Sequence, residues 1–174
     1  TVTIGGQTLT ITQAGTGPTM SLDKTSLIFS AVSTGAAFSS KTSAQAVRLT
    51  QTGTGTVTWT ATASPSWLSV SPASGSGSAT LNISVNFVSA LNSTQAGTVT
   101  LTFNGAGNTA GPVNVTLNVV NSAQATAPQG AFDTPADNAT GISGSIPVTG
   151  WAVDDIDVVR VRILRDPVAG EAPG

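Results

Sequence analysis

Asp154, Asp155 and Asp157 form the tightest group of side chains here whose type and spacing could hold an ion. Calcium takes about six to eight oxygen ligands, and its best-known loop adds a central glycine and a distant bidentate glutamate. Neither accompanies these three aspartates, so they read first as a solvated turn between strands and only second as a calcium site. Other chemistry lacks its residues altogether. The chain has no cysteine, histidine or tyrosine, which removes the usual general bases and activated nucleophiles, and with them disulfides and thiolate metal sites. A glycosidase needs two neighbouring carboxylates, yet Asp23 is the single acid before residue 130. Gly75-Ser76-Gly77 and the glycines at 105 and 107 are followed by no helix pattern and no lysine that could reach a phosphate. We therefore expect no catalytic residue, no cofactor and no metal, and do not read the chain as an enzyme.

Two binding chemistries remain. Glycans are held by exposed aromatic rings, but Trp59 alternates with Val57 and Ala61, and Trp67 follows a proline turn between apolar strands. Both are expected in a core, as is Trp151. Phe38 is the ring expected to be exposed in a loop. Asn82, Asn92, Asn114 and Asn138 each begin an Asn-x-Ser/Thr sequon, as chance allows in a chain so rich in Asn, Ser and Thr.

Charge narrows the partners further. Six basic and eight acidic residues in 174 leave a net charge of −2, and only 8% of residues are charged, against roughly 25% in ordinary globular domains. No basic footprint for nucleic acid or an anionic membrane exists. No apolar run approaches the roughly 18 residues a membrane helix needs. No leader pattern opens the chain, so we expect a mature chain or a fragment. Thr and Ser take the place of charge, which suits an extracellular or cell-surface location.

The elements that would carry these residues are strands. Residues 1–14 alternate Val2 and Ile4, then Leu9 and Ile11, with Thr around the pair Gly5-Gly6, which predicts a hairpin. Residues 20–120 hold seven runs of period two, at 26–32, 44–52, 56–63, 67–71, 78–85, 97–104 and 113–119. Their expected inward residues include Leu27, Phe29, Val47, Leu49, Leu81, Ile83, Val99, Leu101, Val115 and Leu117, with hydroxyl side chains outward. Residues 121–129 read as a linker. Beyond it the acids cluster, Arg160, Arg162 and Arg165 appear, and strands are expected at 145–151 and 158–164.

The stretch Pro65-Ser66-Trp67-Leu68-Ser69-Val70-Ser71-Pro72-Ala73-Ser74-Gly75-Ser76-Gly77-Ser78 closely resembles the signature of BACON-type domains, a carbohydrate-associated module of gut bacteria. Ser26-Leu27-Ile28-Phe29-Ser30-Ala31 is similar to that family's first strand, and Thr58-Trp59-Thr60-Ala61 to the strand before the signature. The resemblance covers about residues 20–120 and implies an immunoglobulin-like β-sandwich. The last strand departs from the family pattern, ending Leu117-Asn118-Val119-Val120. The expected ending, Thr12-Gln13-Ala14-Gly15, sits instead after the first hairpin. Residues 1–15 therefore resemble the last hairpin of a preceding module. Gly150-Trp151-Ala152-Val153-Asp154-Asp155 with Val161-Arg162-Ile163 resembles the opening of a bacterial immunoglobulin-like domain, placed at 130–174. The resemblance implies a tandem array of β modules.

The fold expected is thus all-β: an immunoglobulin-like, seven-stranded sandwich flanked by partial β modules. The function expected is a non-catalytic, extracellular structural or assembly module of a bacterial surface protein. Its partners would be neighbouring β modules of the same or an identical chain, and it could form a head-to-tail filament in which strands are completed in trans. The alternative is a carbohydrate-binding accessory module with glycan partners. Composition alone yields one prediction. No side chain has an ordinary pKa between about pH 5 and pH 9. Thermal unfolding in matched buffers should therefore give a flat melting temperature across that window, and a strong drift would betray a carboxylate in unusual surroundings.

Overall fold

The computed structural model describes residues 2–9, 17–158 and 160–163, and among them there is no helix. The fold is an immunoglobulin-like β-sandwich, preceded by a hairpin and followed by a two-stranded ribbon. In the hairpin, β1 (Val2–Ile4) pairs antiparallel with β2 (Gln7–Leu9). Gly5 and Gly6 turn between them at φ of 57° and 80°, a conformation glycine adopts without strain.

Ten strands form the sandwich. One sheet has four, in the order β3 (Thr19–Leu22), β6 (Gln45–Thr52), β10 (Ala79–Val85), β8 (Leu68–Ser71). The other has six, in the order β5 (Phe38–Lys41), β4 (Ser26–Ser33), β12 (Val113–Asn121), β11 (Gln95–Asn104), β7 (Thr58–Ser64), β9 (Ser74–Ser76). Neighbours run antiparallel except β12 and β4, which are parallel from Asn114↔Ser26 to Asn121↔Ser33.

That parallel pair exists because the first strand changes sheets. β3 lies against β6, and β4 lies against β12. Asp23 makes the crossing. Its N–H donates to the Arg48 carbonyl at 3.1 Å, and its Oδ1 accepts the Arg48 N–H at 2.7 Å. A carboxylate thus stands in for the next strand carbonyl after the backbone has begun to leave. Lys24 Nζ donates to the Ala46 carbonyl at 2.9 Å, holding the crossing segment against β6.

Between the sheets, the seven expected runs are all strands, and alternation puts their apolar residues inside. Phe29, Val47, Leu49, Leu81, Ile83, Val99 and Leu117 have no measurable exposure. Each such burial is worth about 1.5–3 kcal/mol. Trp59 and Trp67 are 3% and 2% exposed, as their patterns require. Trp67 lies in the turn from β7 to β8, bracketed by Pro65 and Pro72, and its carbonyl accepts from Asn86 N–H at 2.7 Å.

Three strands are additional to the seven: β3, β5 and β9. All are edges of three or four residues; β5 and β9 have little apolar alternation, while β3 alternates Thr19, Met20, Ser21 and Leu22 over only four residues and buries Met20. Phe38 is therefore a strand residue, not a loop ring. It is half-buried and meets Phe87 edge to face, with centroids 5.4 Å apart. Its hairpin turn is tied by Thr34, whose Oγ1 accepts the Ala37 N–H at 3.1 Å.

After the sandwich, β13 (Gln129–Thr134) pairs antiparallel with β14 (Thr149–Val153). The expected strand at 145–151 is thus displaced toward 153, and the expected linker ends where β13 begins. No strand occurs among the described residues of 158–164. Trp151 is not core: it is 51% exposed, and Phe132 is 62% exposed. The physical reason is that, among the described residues, the ribbon has two strands and no second layer to bury either face.

The packing of Trp67 generates a prediction. A Cβ on Gly97 would lie 2.9 Å from the Trp67 ring and 3.1 Å from the Ser64 carbonyl oxygen. Trp67→Ala should cost about 3–5 kcal/mol, and Gly97→Ala about 1–3 kcal/mol by overpacking. Chemical denaturation checks both. A loss under about 1 kcal/mol for Trp67→Ala would mean that the ring is not part of the core.

Candidate functional site

The residues that could bind something fall into three places. The first is the outer face of the six-stranded sheet. Thr58, Thr60 and Thr62 on β7 stand opposite Asn104, Thr102 and Thr100 on β11. All six are exposed. Thr is there because a β-branched side chain suits a strand while its hydroxyl keeps the face wet. A shallow groove crosses this face beside β9, lined by Thr58, Trp59, Thr60, Ser74, Gly75, Ser76, Thr102 and Asn104. Its floor is Gly75, where a Cβ would come within 2.5 Å of the Trp59 ring. The indole is thus roofed by backbone, and its Nε1–H donates to the Gly77 carbonyl at 3.0 Å. No charge lines the groove, and the one ring in its lining, Trp59, is 3% exposed.

The second place is the acidic turn. Asp155 Oδ2 accepts from the Thr126 N–H at 2.7 Å and from Thr126 Oγ1 at 3.0 Å. It pins the segment after β12 to the turn after β14. Among the described residues, no group of three Asp, Glu, His or Cys side chains could hold a metal. Asp154, Asp155 and Asp157 are not brought together as a calcium cage. Asp23, the one acid of the sandwich, is occupied by its backbone bond to Arg48.

The third place is the β13–β14 ribbon. Phe132, Val148, Trp151, Val161 and Ile163 are each at least 40% exposed and line one open depression with Arg162. Sequence reasoning missed this patch by assigning Trp151 to a core. The signal was present in the small number of strands after residue 130. The sequon asparagines Asn82, Asn92, Asn114 and Asn138 are all exposed. Among the described residues no helix is long and apolar enough to cross a membrane.

A family model described as the viral BACON domain matches residues 19–118. The chain belongs to this family. The match spans the sandwich from β3 through most of β12. It departs from the expected source in one respect, since the family's description is viral where the signature suggested gut bacteria. No curated protein matches. Among solved structures, a GH5 xyloglucanase of Bacteroides ovatus in complex with a XXXG heptasaccharide is similar at 22% identity and a TM-score of 0.43; the likeness covers 58% of this chain and 19% of that one. The chain thus spans about a fifth of that enzyme. The ASH/PapD-like domain of human CEP192 is similar at 12% identity and a TM-score of 0.48, covering 70% of this chain and 99% of that one. WR4, an MSP family member of C. elegans, is similar at 14% identity and a TM-score of 0.37, covering 58% and 97%.

The BACON domain hides its two tryptophans while the ribbon displays the third. Acrylamide should therefore quench one of the three emission components strongly, and the quenched component should vanish in Trp151→Ala. Equal quenching of all three would contradict the burial of Trp59 and Trp67.

Proposed function

We propose that this viral BACON domain is a structural module that spaces or assembles the exterior of a particle, outside any cell. Its family and its sandwich fit a non-catalytic module. One observation carries the reading: the sandwich spends both tryptophans on its core and turns neutral hydroxyls outward. Such a surface tolerates neighbours because few charges need desolvation on contact. The family's description moves the carrier we expect from a bacterial surface to a virus.

The finer reading is head-to-tail assembly. The β1–β2 hairpin of one copy would add to the β13–β14 ribbon of the next, with Val2, Ile4, Leu9 and Ile11 of the sequence covering Phe132, Trp151 and Val153. Strand addition supplies main-chain hydrogen bonds, and a heterologous contact of this kind propagates instead of closing. The exposed ribbon supports it; Val153 is 54% exposed. A second reading rests on the same exposure: Trp151 and Phe132 would be stacking platforms for a glycan. One pair of experiments separates them. Sedimentation of the full chain at rising concentration should give growing species that disappear when residues 1–15 are deleted. A glycan array probed with the full chain and with Trp151→Ala should show no saturable signal. A chain that stays monomeric would defeat the assembly reading, and saturable glycan binding lost in Trp151→Ala would replace it.

A further inference from the structure

We infer that the outer edge of β3 is a strand-addition site held closed by the chain's own Asn108, and that its partner, once opened, is β3 of a second copy. This concerns the sandwich and stands apart from the assembly of the ends. The inner edge of β3 is taken by β6, from Thr19↔Thr52 to Leu22↔Leu49. On the other edge, Met20 N–H donates to Asn108 Oδ1 at 2.8 Å, and Asn108 Nδ2 donates to the Met20 carbonyl at 2.8 Å. One side-chain amide thus exchanges both bonds with a single residue, as an opposing residue does in a hydrogen-bonded antiparallel pair. The neighbouring Gly107 N–H donates to the Pro18 carbonyl at 2.8 Å, continuing the imitation by one more bond. The loop that supplies them joins β11 to β12 of the other sheet.

A strand edge carries unpaired donors and acceptors that invite another chain, and proteins blunt it with charge, proline or brevity. The other edges have such devices. β5 ends in Lys41, β8 lies between Pro65 and Pro72, and β9 is three residues long. β3, Thr-Met-Ser-Leu, holds no charge, and although Pro18 precedes it, the Pro18 carbonyl and both backbone groups of Met20 face the outer edge. Asn108 is its guard. A second β3 is self-complementary to the vacated edge. Antiparallel pairing centred on Met20 sets Met20 against Met20 and Thr19 against Ser21 of the other copy. Asp23 then falls opposite Gly17, so no like charges meet. The arrangement is isologous, closes as a dimer and joins two four-stranded sheets.

The test is Asn108→Ala in the full chain, and in the chain lacking residues 1–15 to exclude assembly through the ends. Sedimentation velocity should show a concentration-dependent monomer–dimer equilibrium in the shortened variant, absent when Asn108 is intact in the shortened chain, and in the full chain larger species than the full chain with Asn108 intact gives at the same concentration. The Met20 amide should be protected from hydrogen exchange at high concentration and released on dilution. Adding Thr19→Lys and Ser21→Lys places lysines opposite lysines across the new contact and should restore the monomer. If Asn108→Ala loses the folded circular dichroism spectrum, Asn108→Asp takes its place. That variant keeps the acceptor for Met20 N–H, loses the donor, and should dimerise more weakly by the same readouts. A folded variant that stays monomeric at all concentrations, or a dimer indifferent to the lysines, would overturn the inference.

Discussion

One strand has to serve two sheets, and the rest of the sandwich depends on how it does so. Face-to-face sheets share only side-chain contacts unless the backbone crosses between them. Here residues 19–33 cross. The crossing is expensive in principle, because a backbone leaving a sheet abandons ladder partners that water or another group must replace. Asp23 replaces one with its carboxylate, and Lys24 satisfies the Ala46 carbonyl with its ammonium. Two of the few charges in the chain are spent at this point. The return is the β4–β12 pairing, parallel over eight residue pairs, which sets the chain's first long strand beside its last.

The second constraint is the size of the indole. A sandwich interior is about 10 Å thick, and two tryptophans must lie within it without forcing the sheets apart. Both solutions use a glycine on a neighbouring strand. Trp67 rests on Gly97 of β11, and Trp59 lies under Gly75 of β9. The ring takes the space a Cβ would have filled. The same geometry leaves Trp59 and Trp67 only 3% and 2% exposed. Of the three tryptophans, the exposed one is Trp151, in the ribbon after the BACON domain.

How much of this was legible in the sequence follows from the same physics. The seven inner runs were readable because each has one buried and one wet face, and alternation records that difference directly. Leu81, Ile83 and Val85 against Thr80, Asn82 and Ser84 is the plainest case. The edge strands β5 and β9 leave no such record, and β3 leaves one of only four residues. Ser39, Ser40 and Lys41 of β5 are exposed on both faces, so their strand state is set by pairing to β4 and not by their own pattern. Phe38 followed from that error, because the segment read as a loop. Trp151 failed for the opposite reason. Its alternation with Val153 is that of an inward strand face, but alternation only says that a strand has two unlike faces. Whether anything covers the apolar one depends on elements elsewhere. The Trp–Gly pairs, and the amide of Asn108 reaching Met20 from 88 positions away, are contacts between segments that no local pattern announces.

Low charge ties these features together. A protein with a quarter of its residues charged can leave strand edges partly open, because like charges keep copies apart. At 8% charged, this chain has little general repulsion to rely on. Selectivity in what it touches must then come from geometry. In the sandwich every edge strand has three or four residues, while the inner strands have seven to ten. Short edges offer a partner few bonds, and the edge of β3 is filled from within. A neutral hydroxyl surface combined with short edges gives a body that neighbours can approach at little desolvation cost, yet that offers them little backbone to pair with. Outside that body the chain adds the β1–β2 hairpin before the sandwich and the apolar β13–β14 ribbon after it.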